Sequence, residues 1–173
     1  MIYSAHSPDR KRNIDFQTYE SHVKGVLKRA LGYVKDIGKN ATVDNNTLSH
    51  IVQQAALFHD LGKLDKANQT VLLGEKSAKS LPINHVDAGS SYFLDSNNLS
   101  IAAAVIQAHH IGYCNFLEEE SKENSMFRDL KIMEHTDKTL SDLLAIHNSC
   151  LFLSIQPSGS CNLWPIILEI FGR

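Results

Sequence analysis

The chain has 173 residues, 43% of them hydrophobic and 21% charged, with a formal net charge of −2. That length supports one domain with a single sizeable core, while the near-neutral balance argues against an independent high-affinity nucleic-acid binder, which would carry a clear Lys/Arg excess. A nuclease fed by partners is not excluded, but a membrane-spanning chain is: no apolar run approaches the ~20 residues that cross a bilayer.

In chain order, the opening MIYSAHSPDRKRN has no apolar block of the secretory kind, so a cytoplasmic chain is expected. His6 falls in this arm, which reads as mobile, and Arg10-Lys11-Arg12 reads as a solvated tail. From Thr18 to Ile37, Tyr19, Val23, Val26, Leu27, Ala30, Leu31 and Val34 follow the three-and-four spacing of an amphipathic helix, with Asp15 or Thr18 as its cap. A polar interval, Gly38 to Asn46, leads to a second helix from Thr47, with Leu48, Ile51, Val52, Ala55 and Ala56 inside and Gly62 as its stop. Residues 64 to 83 read as a loop with at most one short helical turn. A third helix begins at Asn84, and a fourth, IAAAVIQAHHIG, is capped by Asn98 or Ser100 and ended by Gly112. Glu118 to Glu120 read as a solvated connection, and one or two further helices follow Asn124. SIQPSGSCN is a loop, and LWPIILEIFGR starts another helix. Nothing alternates with period two. The expected class is all-α, a compact helical bundle, with residues 1 to 173 as a single domain. Cys114, Cys150 and Cys161 form no CxxC pair and read as packing residues.

The residues that carry chemistry are histidines, of which there are nine. His59-Asp60 closes an apolar helix, with His59 placed on its buried stripe. An imidazole and a carboxylate there can each donate a lone pair to one ion, the mixed set that suits Mn, Fe, Co, Ni or Zn, and Asp60 could bridge two ions. The competing reading of the pair alone is a helix cap beside a satisfied core histidine. His22 lies beside the apolar stripe of the first helix. His85 opens a helix in NHVDAGSSYF, where Ala88 and Gly89 let another backbone approach closely, and His109-His110 end an alanine-rich helix. Several imidazoles on apolar faces need a shared partner, and a metal centre is the economical one. His6, His50, His135 and His147 lack a motif and read as ordinary residues. The GEKS stretch from Gly74 to Ser77 lacks the spacing of a phosphate-binding loop.

The order His22, His59-Asp60 with Lys63, His85, then His109-His110 resembles the HD superfamily of metal-dependent phosphohydrolases. More narrowly, HDLGKLDKANQ, NHVDAGS and AVIQAHHIG look like the HD nuclease domain that works with the interference helicase of type I CRISPR systems, an antiviral defence. The resemblance covers residues 18 to 113 of the 173. It implies a helical HD bundle and a centre of two divalent ions (Mn, Fe, Co, Ni, Zn or Mg), one held by His22, His59 and Asp60 and the other by Asp60, His85, His109 and His110. It further implies hydrolysis of single-stranded DNA, with Asp60 and Lys63 as catalytic residues and with a helicase domain or subunit and an RNA-guided surveillance complex as partners. Lys63 would face the phosphate; its alternative is a solvent-facing lysine after a helix-ending glycine.

Two departures stand out. The family carries a final aspartate downstream of the double histidine. Asp129, Asp137 and Asp142 are available, but LWPIILEIFGR looks like the segment leading to it, so the expectation is a domain truncated at its C-terminus with one metal position short of a ligand. The second departure is Asn68-Gln69, where the family often has an aromatic before the glutamine. The rival readings are a phosphodiesterase for cyclic dinucleotides from a related multi-histidine branch, whose Gly-Tyr-Pro signature Gly112-Tyr113-Cys114 matches incompletely, and a degenerate HD fold kept as an interaction module.

Overall fold

The computed structural model describes residues 2–9, 11–94 and 101–151. The expected caps at Asn98 and Ser100, together with Arg10, Cys161, the SIQPSGSCN loop and the LWPIILEIFGR helix, lie outside the described residues.

Thr18 opens α1 (Tyr19–Ile37) by accepting a hydrogen bond from the Ser21 amide, and Asp44 opens α2 (Asn45–Phe58) by accepting one from the Thr47 amide. Each cap satisfies a donor that the first helical turn cannot. The second helix therefore begins two residues before the expected Thr47. α1 packs on α2, and α2 on α5 (Ile101–Ile111). α5 packs in turn on α4 (Val86–Phe93), which lies against α7 (Met133–Leu151). Tyr19, Val23, Phe58, Leu61, Val86, Ile106 and Leu143 meet in one core. Phe58 is at its centre, stacked on Tyr92 at 4.4 Å and on His147 at 4.6 Å. The class is all-α, as the periodicity predicts. No helix among the described residues is long and apolar enough to cross a membrane.

Four local expectations are corrected. The N-terminal arm is not a mobile tail: β1 (Ser4–His6) pairs antiparallel with β2 (Gln17–Thr18), too short a ladder to show any alternation. The Gln69 side chain fixes this strand, accepting from the Ser4 amide and donating to the Ser4 and Lys63 carbonyls. The stretch after Leu64 holds α3 (Lys66–Leu72), capped by Asp65, and more than a single turn. Its polar composition is misleading, because Asn68 and Gln69 are buried and direct their amides to the backbone of neighbouring loops. Glu119, expected in a solvated connection, is buried in α6 (Phe116–Glu120), where it accepts from the Phe127 amide.

The fourth correction bears on the site. α2 stops at Phe58, and the chain continues through His59 and Asp60 into a 3-10 turn, Leu61–Leu64. Gly62 is therefore not a helix stop. Its amide donates to the His85 carbonyl at 3.1 Å, and a Cβ there would stand 2.6 Å from that oxygen. Gly89, a turn further along in α4, is constrained in the same way, since a Cβ would fall 2.3 Å from the Phe58 carbonyl. Two contacts of main chain on main chain thus bind the His59-Asp60 segment to the start of α4.

Candidate metal centre

These seams bring Asp60 to the meeting point of four helix ends. His22 comes from the start of α1, His59 and Asp60 from the end of α2, His85 from the start of α4, and His109 and His110 from the last turn of α5. The six residues form two groups that share Asp60: His22, His59 and Asp60, and Asp60, His85, His109 and His110. Within each group one donor atom per residue lies within 4.8 Å of the others. The groups coincide with the two ligand sets that the resemblance implies. Lys63 is also in the site, buried, with its ammonium 2.8 Å from Asp60 Oδ2, and not facing solvent.

The ring orientations are determined by oxygen acceptors behind them. His59 Nδ1 donates to the Ala56 carbonyl at 2.9 Å, His109 Nδ1 donates to the Ile106 carbonyl, and His22 Nδ1 donates to Gln17 Oε1 at 3.3 Å. In each neutral ring the lone pair is then on Nε2 and directed forward, the arrangement by which metal-ligating imidazoles are oriented. Those Nε2 atoms crowd together: His22 to His59 at 3.1 Å, and His22 to Asp60 Oδ2 at 2.8 Å. His85 Nε2 lies 3.5 Å from Asp60 Oδ1, an atom that is buried without a hydrogen-bond partner. Lone pairs facing lone pairs, next to an orphaned carboxylate oxygen, are unfavourable unless a proton or a cation joins them. The residues present therefore fit one or more divalent ions bound by imidazole and carboxylate.

Electrostatics point the same way. Burial pushes the Asp60 carboxyl up, but the His22 and His59 rings beside it and the Lys63 charge outweigh burial and hold the group well below the usual carboxylate range. Desolvation lowers His85 and His109 to about 4, so both rings are neutral near pH 7 with lone pairs to offer. The wider face of the cluster opens into a groove of about 530 Å³, lined by Ser80, Asn84, His85, Gln107, His110 and Asp129.

Other sequence candidates fall elsewhere. Asp129 accepts from Asn84, and Asp137 from Arg128 and Ser91. Neither of these, nor Asp142, belongs to a donor group among the described residues. His50 is exposed on α2, His135 pairs with Asp65 at 2.9 Å, and His147 is buried against Tyr19. His6 is the residue that sequence reasoning passed over. Its ring stands edge-on to His22 at 4.8 Å, and partial desolvation of this otherwise exposed residue, followed by the charges of Lys63 and His22, lowers its pKa. No local signal marks it, because its placement depends on Gln69, whose side chain holds Ser4 across a separation of 65 residues.

Comparison with family models, with curated proteins and with solved structures finds no match to this chain.

Proposed function

We propose that this chain is a metal-dependent phosphodiester hydrolase, a nuclease domain for single-stranded DNA that acts with a helicase and an RNA-guided surveillance complex in CRISPR interference. The observation that carries the reading is the sharing of Asp60 between two groups of imidazoles, each able to take an ion. When bound, a pair of divalent ions supplies a Lewis-acid centre that makes water nucleophilic at neutral pH and offsets charge on phosphate oxygens. His22, His59 and Asp60 would hold one ion, and Asp60, His85, His109 and His110 the other.

The chain's own residues do the positioning. Ala56, Ile106 and Gln17 hold three rings with Nε2 forward. Lys63 places a compact cation beside the shared carboxylate, where an anionic phosphate would also be held. The groove leading to His85 and His110 carries amides and a hydroxyl, and the one guanidinium on its wall, Arg128, is neutralised by Asp87 and Asp137. Such a groove does not attract nucleic acid strongly by itself, which agrees with delivery of the strand by partners.

The test is cleavage of single-stranded DNA and of a cyclic dinucleotide by the chain loaded in turn with Mn²⁺, Fe²⁺, Co²⁺, Ni²⁺, Zn²⁺ and Mg²⁺. Cleavage of the DNA is expected. Hydrolysis of the dinucleotide alone would replace the reading with the phosphodiesterase one, and activity on neither would leave an interaction module.

A further inference from the structure

We infer that His6 is a substrate-binding residue whose imidazole donates a hydrogen bond to a phosphate oxygen held on the His22 side of the metal cluster. The inference rests on the hydrolase reading above and adds a residue to it.

Three observations carry it. First, His6 is in neither donor group, although its ring is 4.8 Å from that of His22, so it borders the cluster without belonging to it. Second, its strand is held to the site from both sides. Gln69 ties Ser4 to the Lys63 carbonyl through bonds of 2.6 to 2.9 Å, and the Ser4 hydroxyl donates to the His6 carbonyl at 3.0 Å. On the other side, Gln17 is the strand partner of His6 and also accepts from His22 Nδ1. Third, His6 is exposed, and its ring nitrogens make no hydrogen bond among the described residues.

A group so firmly placed, yet left open beside a cation and a metal cluster, has donor capacity directed at whatever anion the cluster binds. An imidazole carries at least one N–H in every protonation state, so the contact does not depend on its charge. His6 and Lys63 would then hold the phosphate from two sides.

The experiment is titration of inorganic phosphate into the full chain loaded with Zn²⁺, followed by calorimetry, for the unsubstituted protein, His6→Ala and His6→Gln. All three should bind the same number of zinc ions. His6→Ala should bind phosphate about tenfold more weakly, and His6→Gln, which retains an N–H donor, should recover most of the loss. The proposal is overturned if His6→Ala binds phosphate as the unsubstituted chain does, if it loses a zinc ion, if His6→Gln is as weak as His6→Ala, or if the unsubstituted chain binds no phosphate. Phosphate binding is read whether or not any diester is hydrolysed, so absence of turnover would defeat the hydrolase reading without being confused with a failure at His6.

Discussion

The Nε2 atoms of His85 and His110 stand 2.7 Å apart, a distance at which two imidazole lone pairs repel unless a proton or a cation lies between them. Divalent metal should therefore stabilise the fold markedly. At a free ion concentration one hundred times the Kd the gain is about 2.7 kcal/mol per site. Thermal melts with Mn²⁺ or Zn²⁺, reversed by chelator, would measure it, and an unchanged midpoint would remove the metal from the account.

Asp60→Ala should abolish ion uptake by both groups while far-UV helicity is retained, because Asp60 is common to them. The variant should also melt lower, since the buried Lys63 ammonium loses its counter-charge, a loss of roughly 3–5 kcal/mol for a buried pair. Adding Lys63→Met should restore stability without restoring uptake. His135→Ala, outside the cluster, should bind metal normally and lose less than ~1 kcal/mol.

Gly62→Ala forces a methyl to within 2.6 Å of the His85 carbonyl oxygen. Overpacking of this kind costs about 1–3 kcal/mol. Because the displaced segment carries His85, the affinity of its group for metal should fall more than that of the His22 group. Equal loss at both would contradict the role given to this seam.

Arg128 grips Asp87 through two hydrogen bonds, at 3.0 and 3.1 Å, and Asp87 is fully buried. Arg128→Met leaves that carboxylate with the Asp129 amide as a donor but without a counter-charge, and urea unfolding should show a loss of roughly 3–5 kcal/mol. Arg128→Met with Asp87→Leu should regain much of it.

Burial lowers His147 to about 4, against an unfolded value near 6.5. Between those values the unfolded chain binds the proton and the folded chain does not, so this stability is present above pH 6.5 and is lost as pH falls toward 4. At pH 5 the loss is about 2 kcal/mol relative to pH 7. His147→Phe retains a ring to stack on Phe58, and the difference in urea stability between pH 7 and pH 5 should shrink by that amount.

The helical architecture was legible because Val23, Ile51, Ala55, Ala102 and Ile106 repeat at helical spacing and are all buried. The convergence of the histidines was legible for a related reason: His22, His59 and His109 each sit near an apolar stripe, and stripes meet. What escaped depends on contacts distant in sequence. Nothing in SAH announces a strand until Gln17 and Thr18 pair with it and the Gln69 side chain holds Ser4, and nothing in NQT announces a buried helix face until the amides of Asn68 and Gln69 are seen to serve the Ile83, Gly62 and Ser4 backbones. Gly62 was read as punctuation because a glycine after a helix usually is, and its real constraint comes from His85.

Both seams at Gly62 and Gly89 join peptide to peptide, with no side chain between them that could be lengthened or trimmed. The separation of the His59-Asp60 segment from His85 is thus set by the backbone, and lengthening or trimming a neighbouring side chain does not adjust it. Selection, or a protein engineer, seeking a different ion preference in this scaffold would do better to exchange the donors themselves, since a methyl added at either glycine forces the seam apart and does not tune it.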